Sequence, residues 1–593
     1  MTLLKRQDKR DTMALVVASI DFGTTFSGWA YSFTHEYEKD PTDVKSKNWN
    51  SGSFISCKAP TCVLITSDEK DKDKKTVEAF GYDAENKYAE LAAEDIHRDF
   101  YFFQTFKMNL FNNERSVGKS TLLEDETGKQ LEALIVFSLT IKYLIDDLKE
   151  SLNRQIQKGV DKNDIHWVLT VPAIWDEHAK QFMRTAAREA GIEIGHLNLA
   201  LEPEAASIYC RHIKMSRNEG SSGEDISTFK PGTRYLVCDA GGGTVDITVH
   251  EVTPDMKLKE IEKASGGAWG GTKVNEAYKQ FIDTLAGGGV LCVLKEKHMD
   301  DFIEVTRSFE VKKRESKTSA TGSVVLRFPA TLSSVVHSVT GKSFKEQIEK
   351  SPFKGQVNII NDKLKCDAKV ISSLFNGPVS SIVEHLSTLL SKHRENPINN
   401  IVMVGGFSES QLLQEAVRSA FPEKHVTVPQ DAGLAVMKGA VMFGHNKRQI
   451  VSRIARFTYG IDCWLPFDAS VHPADKMVKQ GTHKGEVENC FSKLVEIGHS
   501  IPTDEAAGSG SFCLKDNETT YDCVVFATKA KNPLFVNDEG CFKIGSFNVN
   551  CKDKNGHISG TILKMYFGGT EIDVKATLQT TGEEIAATFD LPD

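Results

Sequence analysis

The sequence predicts an α/β protein of two related lobes that close on one shared cleft, followed by an all-β module. Three observations carry that prediction. Ile20-Asp21-Phe22-Gly23-Thr24-Thr25 recurs loosely as Cys238-Asp239-Ala240-Gly241-Gly242-Gly243-Thr244, each after an apolar run and before an alternating stretch. A third glycine turn, Gly405-Gly406-Phe407-Ser408, follows the apolar run Ile401 to Val404. From about Arg453 the chain changes to short β-type runs split by Gly, Asn and Asp.

Each repeated segment reads as strand, tight Gly/Thr turn and strand, with an aspartate at the last position before the turn. Such a hairpin points backbone N–H groups into a concavity that suits phosphate oxygens. The aspartate beside it can hold a hydrated magnesium ion, a hard cation that prefers carboxylate and water oxygens. Two hairpins on two halves of a chain suggest a nucleotide clamped between lobes. Alone, each hairpin could equally be a turn serving topology. The third turn, with no Cβ at its glycines, lets the backbone approach a flat or anionic ligand.

In chain order, residues 1–13 read as a polar tail and Ala14 to Ile20 as the first strand. Lys39 to Lys75 reads as a lysine-rich surface insertion around one short strand, Cys62 to Ile65. Leu131 to Leu152 is an amphipathic helix packing on the first lobe. Trp167 to Ala173 is a buried strand closed by proline, and Asp176 to Ala190 a helix ending at Gly191. Glu202 sits in Leu201-Glu202-Pro203-Glu204, at a turn before another helix, which it could simply cap. Met215 to Gly232 reads as a flexible loop. A helix spans Phe302 to Glu315, and Lys317 to Lys342 is a third insertion with a short strand, Val324 to Phe328.

These segments, in this order and at these distances, resemble the actin-like ATPase superfamily with its ribonuclease H-like lobes. Within it they are most similar to the 70-kilodalton heat-shock protein family, over residues 14 to 445, and the departures look like the divergent branch of heat shock 70 kDa proteins 12. Ile20 to Gly28 matches the first phosphate loop, Val168 to Ala206 a connecting segment, Asp239 to Asp246 the second phosphate loop, and Ile401 to Ser408 the adenosine motif. Ala264 to Gly271 matches a glycine segment of the second lobe, and Pro429 to Gly439 the segment closing the ATPase domain.

The resemblance implies ATP or ADP with Mg2+, and potassium as a further ion. It implies a metal group of Asp21, Asp239, Glu202 and Asp246, and a catalytic group of Lys107, Glu202, Asp239 and Thr244. Gly23, Thr24, Thr25, Gly241, Gly242, Gly243 and Thr244 would cradle phosphates. Gly270, Gly271, Glu310, Lys313, Arg314, Gly405 and Gly406 would hold the nucleoside. Glu310, Lys313 and Arg314, three and four apart, share a helix face that could also be only a salt-bridged surface. Phosphoryl transfer needs positioning and charge stabilisation, which lysine, metal and backbone donors supply. Three departures stand out: Glu409 near the register of an adenine-contacting arginine, Leu201 in place of an asparagine, and a short aromatic neighbourhood around Lys107.

At 593 residues the chain calls for two or more domains: a nucleotide-binding domain over 14–447 and a substrate-binding-like β domain over 448–593. The first lobe would run over about 14–210, the second over about 233–394, with a return segment at 395–447. A net charge of −9 argues against a nucleic-acid surface. No window approaches the roughly 18 apolar residues of a membrane span, and the start lacks an apolar signal core. The address expected is cytoplasmic. The twelve cysteines, without a C-x-x-C pair, read as free thiols.

The C-terminal runs, most visibly Lys493 to Gly498 before Ile501-Pro502, resemble the β-subdomain of the heat-shock family's substrate-binding region. Such a module takes an extended polypeptide along its strands. No helical lid is expected after Phe589, and His445 to Arg456 is basic where the family's coupling linker is apolar and acidic. The function expected is a slow Mg-dependent ATPase whose lobe closure regulates polypeptide binding. The alternatives are a non-hydrolysing, nucleotide-gated adaptor and, more remotely, a small-molecule kinase of the same fold.

Overall fold

The computed structural model describes residues 14–50, 55–68, 70–71, 73–112, 118, 120–156, 159–212, 229–317, 322–481, 483–506, 508–512, 520–550, 552, 560–567, 569–586 and 589–590. The polar tail at 1–13 and residues 213–228 of the expected loop lie outside them.

The first lobe is built on the strand Val16–Asp21, all six residues buried, which turns at Gly23 into the antiparallel strand Phe26–Phe33. On its other side it pairs in parallel with Ile165–Val171, and that strand in parallel with Leu197–Leu201. Strands buried on both faces read as continuous apolar runs, as VVASI and WVLTV do.

The second lobe repeats this order. Arg234–Ala240 pairs antiparallel with Val245–Val252 across the second glycine hairpin and in parallel with Asn400–Val404, which pairs in parallel with His425–Thr427. The duplicated hairpin is thus the local trace of a duplicated sheet. Between the lobes runs the helix Ala435–His445, against the helix Glu202–His212. A Cβ on Gly439 would collide with the Ala205 carbonyl oxygen, so the two helices approach as closely as glycine allows.

Two stretches expected as surface insertions contribute to the core. Between Lys39 and Lys75, Trp49, Ala59 and Cys62 to Ile65 are buried, Ala59–Pro60 pairs with the first hairpin, and Cys62–Ser67 joins its own sheet with Lys75–Phe80 and Tyr101–Gln104. After the strand Ser323–Arg327, Ala330–Thr340 is a helix that buries Leu332, Val335 and Val336. Those apolar residues stand at helical spacing inside a Ser/Thr-rich segment, and packing decided the outcome over composition. The helices expected at Leu131 to Leu152 and Phe302 to Glu315 run over Ala133–Gln155 and Met299–Glu315.

The expected domain edge at residue 447 does not coincide with the edge of the second-lobe sheet. Ile450–Ile454 adds to that sheet in parallel beside Leu258–Gly267, and Ser500–Pro502 pairs antiparallel with Ile450–Ile454. Two basic residues here are internal ligatures: Arg453 reaches Glu204, and Arg456 donates to the carbonyls of Ala173, Ile174 and Trp175. Beyond it, a five-stranded sheet runs Glu486–Val495, Thr458–Pro466, Thr520–Thr528, Phe542–Asn550, Phe589–Asp590. A four-stranded one runs Gly508–Phe512, Thr561–Tyr566, Asp573–Leu578, Glu584–Ala586. Glu571, from the loop before Asp573, pairs with Arg184 of the first lobe across a cleft of 630 Å³. Among the described residues no helix is long and apolar enough to cross a membrane.

Candidate functional site

A cavity of 390 Å³ opens where the two hairpins meet. Their tips interlock: a Cβ on Gly242 would strike the Thr25 side chain, and one on Gly243 the side chains of Thr24 and Met108. Glycine is needed there because hairpin backbone meets hairpin side chain. Gly405 takes φ +85°, and a Cβ there would collide with Asp239 Oδ1. The third turn is thereby pressed against the second aspartate.

Asp21, Gly23, Thr24, Thr25, Lys107, Glu202, Asp239, Gly241, Gly242, Gly243 and Thr244 all line this cavity at its hairpin end. Gly271, Glu310, Lys313, Arg314, Gly405 and Gly406 line the rest. Two expected residues do not. Asp246 is buried behind it, with Oδ1 accepting the Ile174 N–H at 2.9 Å. Gly270 backs the second hairpin, its N–H donating to the Gly243 carbonyl at 3.1 Å, and a side chain there would strike Gly242.

Lys107 is 2% exposed and donates to Glu202 Oε1 at 2.8 Å, with its ammonium 4.9 Å from the Trp175 ring centre. It is turned inward by the bend after Tyr101–Gln104, where Thr105 holds φ +51°. A β-branched residue at positive φ is strained, and such strain gathers at functional sites. Glu202 enters from the end of Leu197–Leu201 as the first residue of its helix.

Sequence reasoning missed Lys58. Its Nζ stands 2.6 Å from Asp21 Oδ2, while Asp21 Oδ1 accepts the Thr170 hydroxyl at 3.0 Å. The Lys58–Asp21 contact is a buried ion pair. Lysine after a Cys in a polar stretch gives no sign of this; Ala59-Pro60 pairing with the hairpin brings it in. Sequence reasoning also missed the aromatic walls Phe26 and Phe407. Arg314 lies 4.5 Å over the Phe26 ring, joining the second lobe to the first, and Lys313 reaches Glu310 at 2.6 Å and Asn275 at 2.9 Å. Glu409 lines the cavity too and accepts the Gly433 N–H at 3.1 Å.

The electrostatics are those of crowded buried carboxylates. Burial above all, then Asp246 and Asp21, push Glu202 up to about 7 against the pull of Lys107. Burial followed by Glu202, Asp246 and Asp21 carries Asp239 well above the carboxylate range, with Lys58 opposing. Burial raises Asp246 against the Ile174 N–H. Burial works to lower Lys58, and Asp21 outweighs it, so its ammonium is held firmly.

Three carboxylates with neighbouring hydroxyls form a hard-oxygen set suited to hydrated magnesium. Among the described residues no group of three or more His, Cys, Asp or Glu side chains is gathered closely enough to ligate a metal directly. An ion here would therefore be held through its waters. The cavity can accept an anionic group against the hairpin amides, with Lys107 and Lys58 as its ammonium groups at that end.

The model of the family described as Hsp70 protein matches residues 103–463. The chain is similar to heat shock 70 kDa protein 12A of Mus musculus, 30% identical over 97% of this chain and 91% of the relative. To heat shock 70 kDa protein 12B of Homo sapiens it is 29% identical over the same shares. Its similarity to the stromal 70 kDa heat shock-related protein of Pisum sativum, 23% identical, covers 66% of this chain and 48% of that protein.

Proposed function

This chain belongs to the Hsp70 family, in its 12A/12B-like branch, and on that premise we propose that the cavity between the hairpins binds ATP and ADP with Mg2+. The observation that carries the reading is the meeting of both glycine hairpins, Asp21, Asp239, Glu202 and Lys107 in one cavity. Phosphates lie against Thr24, Thr25 and Gly241 to Thr244, with the nucleoside between Glu310, Lys313, Arg314 and the Gly405-Gly406 turn. The 14–447 segment, with the strand Ile450–Ile454 added to its second-lobe sheet, acts as the nucleotide-binding domain, and the strands after Arg456 as an all-β module for polypeptide.

Asp21 and Asp239 would hold magnesium through its waters, and the ion would supply charge neutralisation at the phosphates. Lys107 faces the transferring phosphoryl group, where its charge is worth most in a water-poor cleft. Glu202 beside it, in its ionised form, orients the attacking water. Asp246 holds the Ile174 N–H and so fixes the loop that carries Trp175 against Lys107. Free thiols at the ten described cysteines support a reducing, cytoplasmic setting.

The non-hydrolysing adaptor remains the second reading, favoured by the ammonium of Lys58 on Asp21. Single-turnover conversion of bound labelled ATP by the full chain separates the two. ADP formed in the bound fraction establishes the ATPase, and ATP held unconverted establishes the adaptor. Absence of bound nucleotide removes both.

A further inference from the structure

Lys58 is placed by built structure. Ala59 and Pro60 are in register with Ser27 and Phe26, which fixes the backbone beside the first hairpin, and the Lys58 N–H donates to Ser56 Oγ at 3.2 Å. Gly28 makes room for the side chain: a Cβ there would come within 3.0 Å of the Cys57 carbonyl oxygen and 3.2 Å of Lys58 Cγ. The ammonium ends 2.6 Å from Asp21 Oδ2, with only 16% of the lysine side chain and 4% of the aspartate exposed.

Both oxygens of Asp21 are then engaged, one by Thr170 and one by Lys58. The water shell of a divalent ion would have to share Asp21 with a buried ammonium. Four carboxylates, those of Asp21, Glu202, Asp239 and Asp246, face two lysines, and the charge of Lys58 also acts on Asp239 and Glu202. A tethered ammonium is a compact point charge able to stand in for part of an ion's charge.

Resting on the nucleotide reading of this cavity, we infer that Lys58 is the chain's own cation at its phosphate end. It takes up the charge of Asp21 and holds a nucleoside di- or triphosphate with little dependence on magnesium. The Asp21 carboxylate thereby becomes a positioning group for Lys58 first and for a metal's water shell second.

The test is calorimetric titration of the full chain with ADP, in magnesium and in chelator, for the wild type, Lys58→Met and Lys58→Arg, with a thermal melt of each. The wild-type Kd should change by less than about threefold on removing magnesium. Lys58→Met should lose about tenfold or more in chelator and recover in magnesium, and Lys58→Arg should follow the wild type. A wild type that loses tenfold in chelator overturns the role of Lys58 and leaves the nucleotide site standing. So does a folded Lys58→Met that is as indifferent to magnesium as the wild type. A wild type that binds ADP under neither condition overturns the nucleotide reading and this inference together.

Discussion

Arg453 forks onto Glu204, with Nε to Oε1 and Nη2 to Oε2 both at 2.7 Å and both side chains buried. Glu204 lies two residues after Glu202 in the same helix, and Arg453 lies on the strand Ile450–Ile454 that leads to the C-terminal strands. One bidentate pair thus ties the site's carboxylate helix to the chain that enters the β-rich region. Bidentate guanidinium–carboxylate pairs are the geometrically specific ones, and this one is shielded from water.

Breaking it from one side leaves a buried charge without a partner. Arg453→Met or Glu204→Leu alone is therefore expected to destabilise the protein by about 3 kcal/mol, whereas Arg453→Met with Glu204→Leu should recover most of that loss. Urea unfolding of the two single variants and the double variant gives the coupling directly. Additive losses would mean that the pair contributes nothing as a pair.

Glu260 stands in the same neighbourhood, its Oε2 accepting the Ile454 N–H at 2.7 Å. Burial, then Glu204, push its carboxyl from 4.5 up to about 8, against the Ile454 N–H, Arg453 and Arg456. A folded-state value above the unfolded one means that the folded protein keeps a proton the unfolded chain gives up. Its contribution is intact below about 4.5 and is lost as pH rises through about 8. Glu260→Gln keeps an acceptor for Ile454 and removes the titration. Its melting temperature should match the wild type's under acidic conditions and exceed it by several degrees above pH 8. A constant difference across the range would show that Glu260 is not the titrating group.

Much of this was written locally. An aspartate before a glycine turn between apolar runs is a signal a few residues long, so both hairpins and the third turn could be read directly, and with them the duplicated sheet. Lys58 could not: it stands in a polar, lysine-rich stretch whose burial follows from pairing with the first hairpin. Arg453 and Glu204 are 249 positions apart, and nothing in the basic segment 445–456 says that Arg453 and Arg456 turn inward while Lys447 and Arg448 stay exposed. The helix Ala330–Thr340 carries the right apolar spacing, but Ser, Thr and Gly around it read as a loop. Asp246 has the residue type of a metal neighbour, yet its oxygen is taken by a backbone N–H, a partner that no motif encodes.

Close approach of the helices Ala435–His445 and Glu202–His212 rests on Gly439. A methyl group there meets the backbone oxygen of Ala205, which no rotamer change relieves. Gly439→Ala should cost about 2 kcal/mol or more through forced displacement of one helix, and it should weaken ADP binding because Glu202 begins the displaced helix. Gly444→Ala is a useful contrast. A methyl there meets the side chains of Val17 and Val168, which lie away from Glu202. It should lower the melting temperature while leaving the Kd for ADP near the wild-type value. Equal effects of the two on binding would separate ADP affinity from this helix contact.

Glu202, pushed up to about 7 mainly by burial, is partly protonated near neutrality. If its ionised form orients the attacking water, the single-turnover rate should rise with pH through a midpoint near 7 and level off above it. Lys107 is the chief influence pulling Glu202 down, so Lys107→Met should move the midpoint upward as well as slow the step by about a hundredfold. Glu202→Gln should give a slow rate with no midpoint in this range. The midpoint carries more weight than the slowing, because a merely structural lysine would also reduce the rate but would leave the profile where it was. A Lys107→Met profile unmoved from the wild type's would detach Lys107 from Glu202 and from the reacting phosphate.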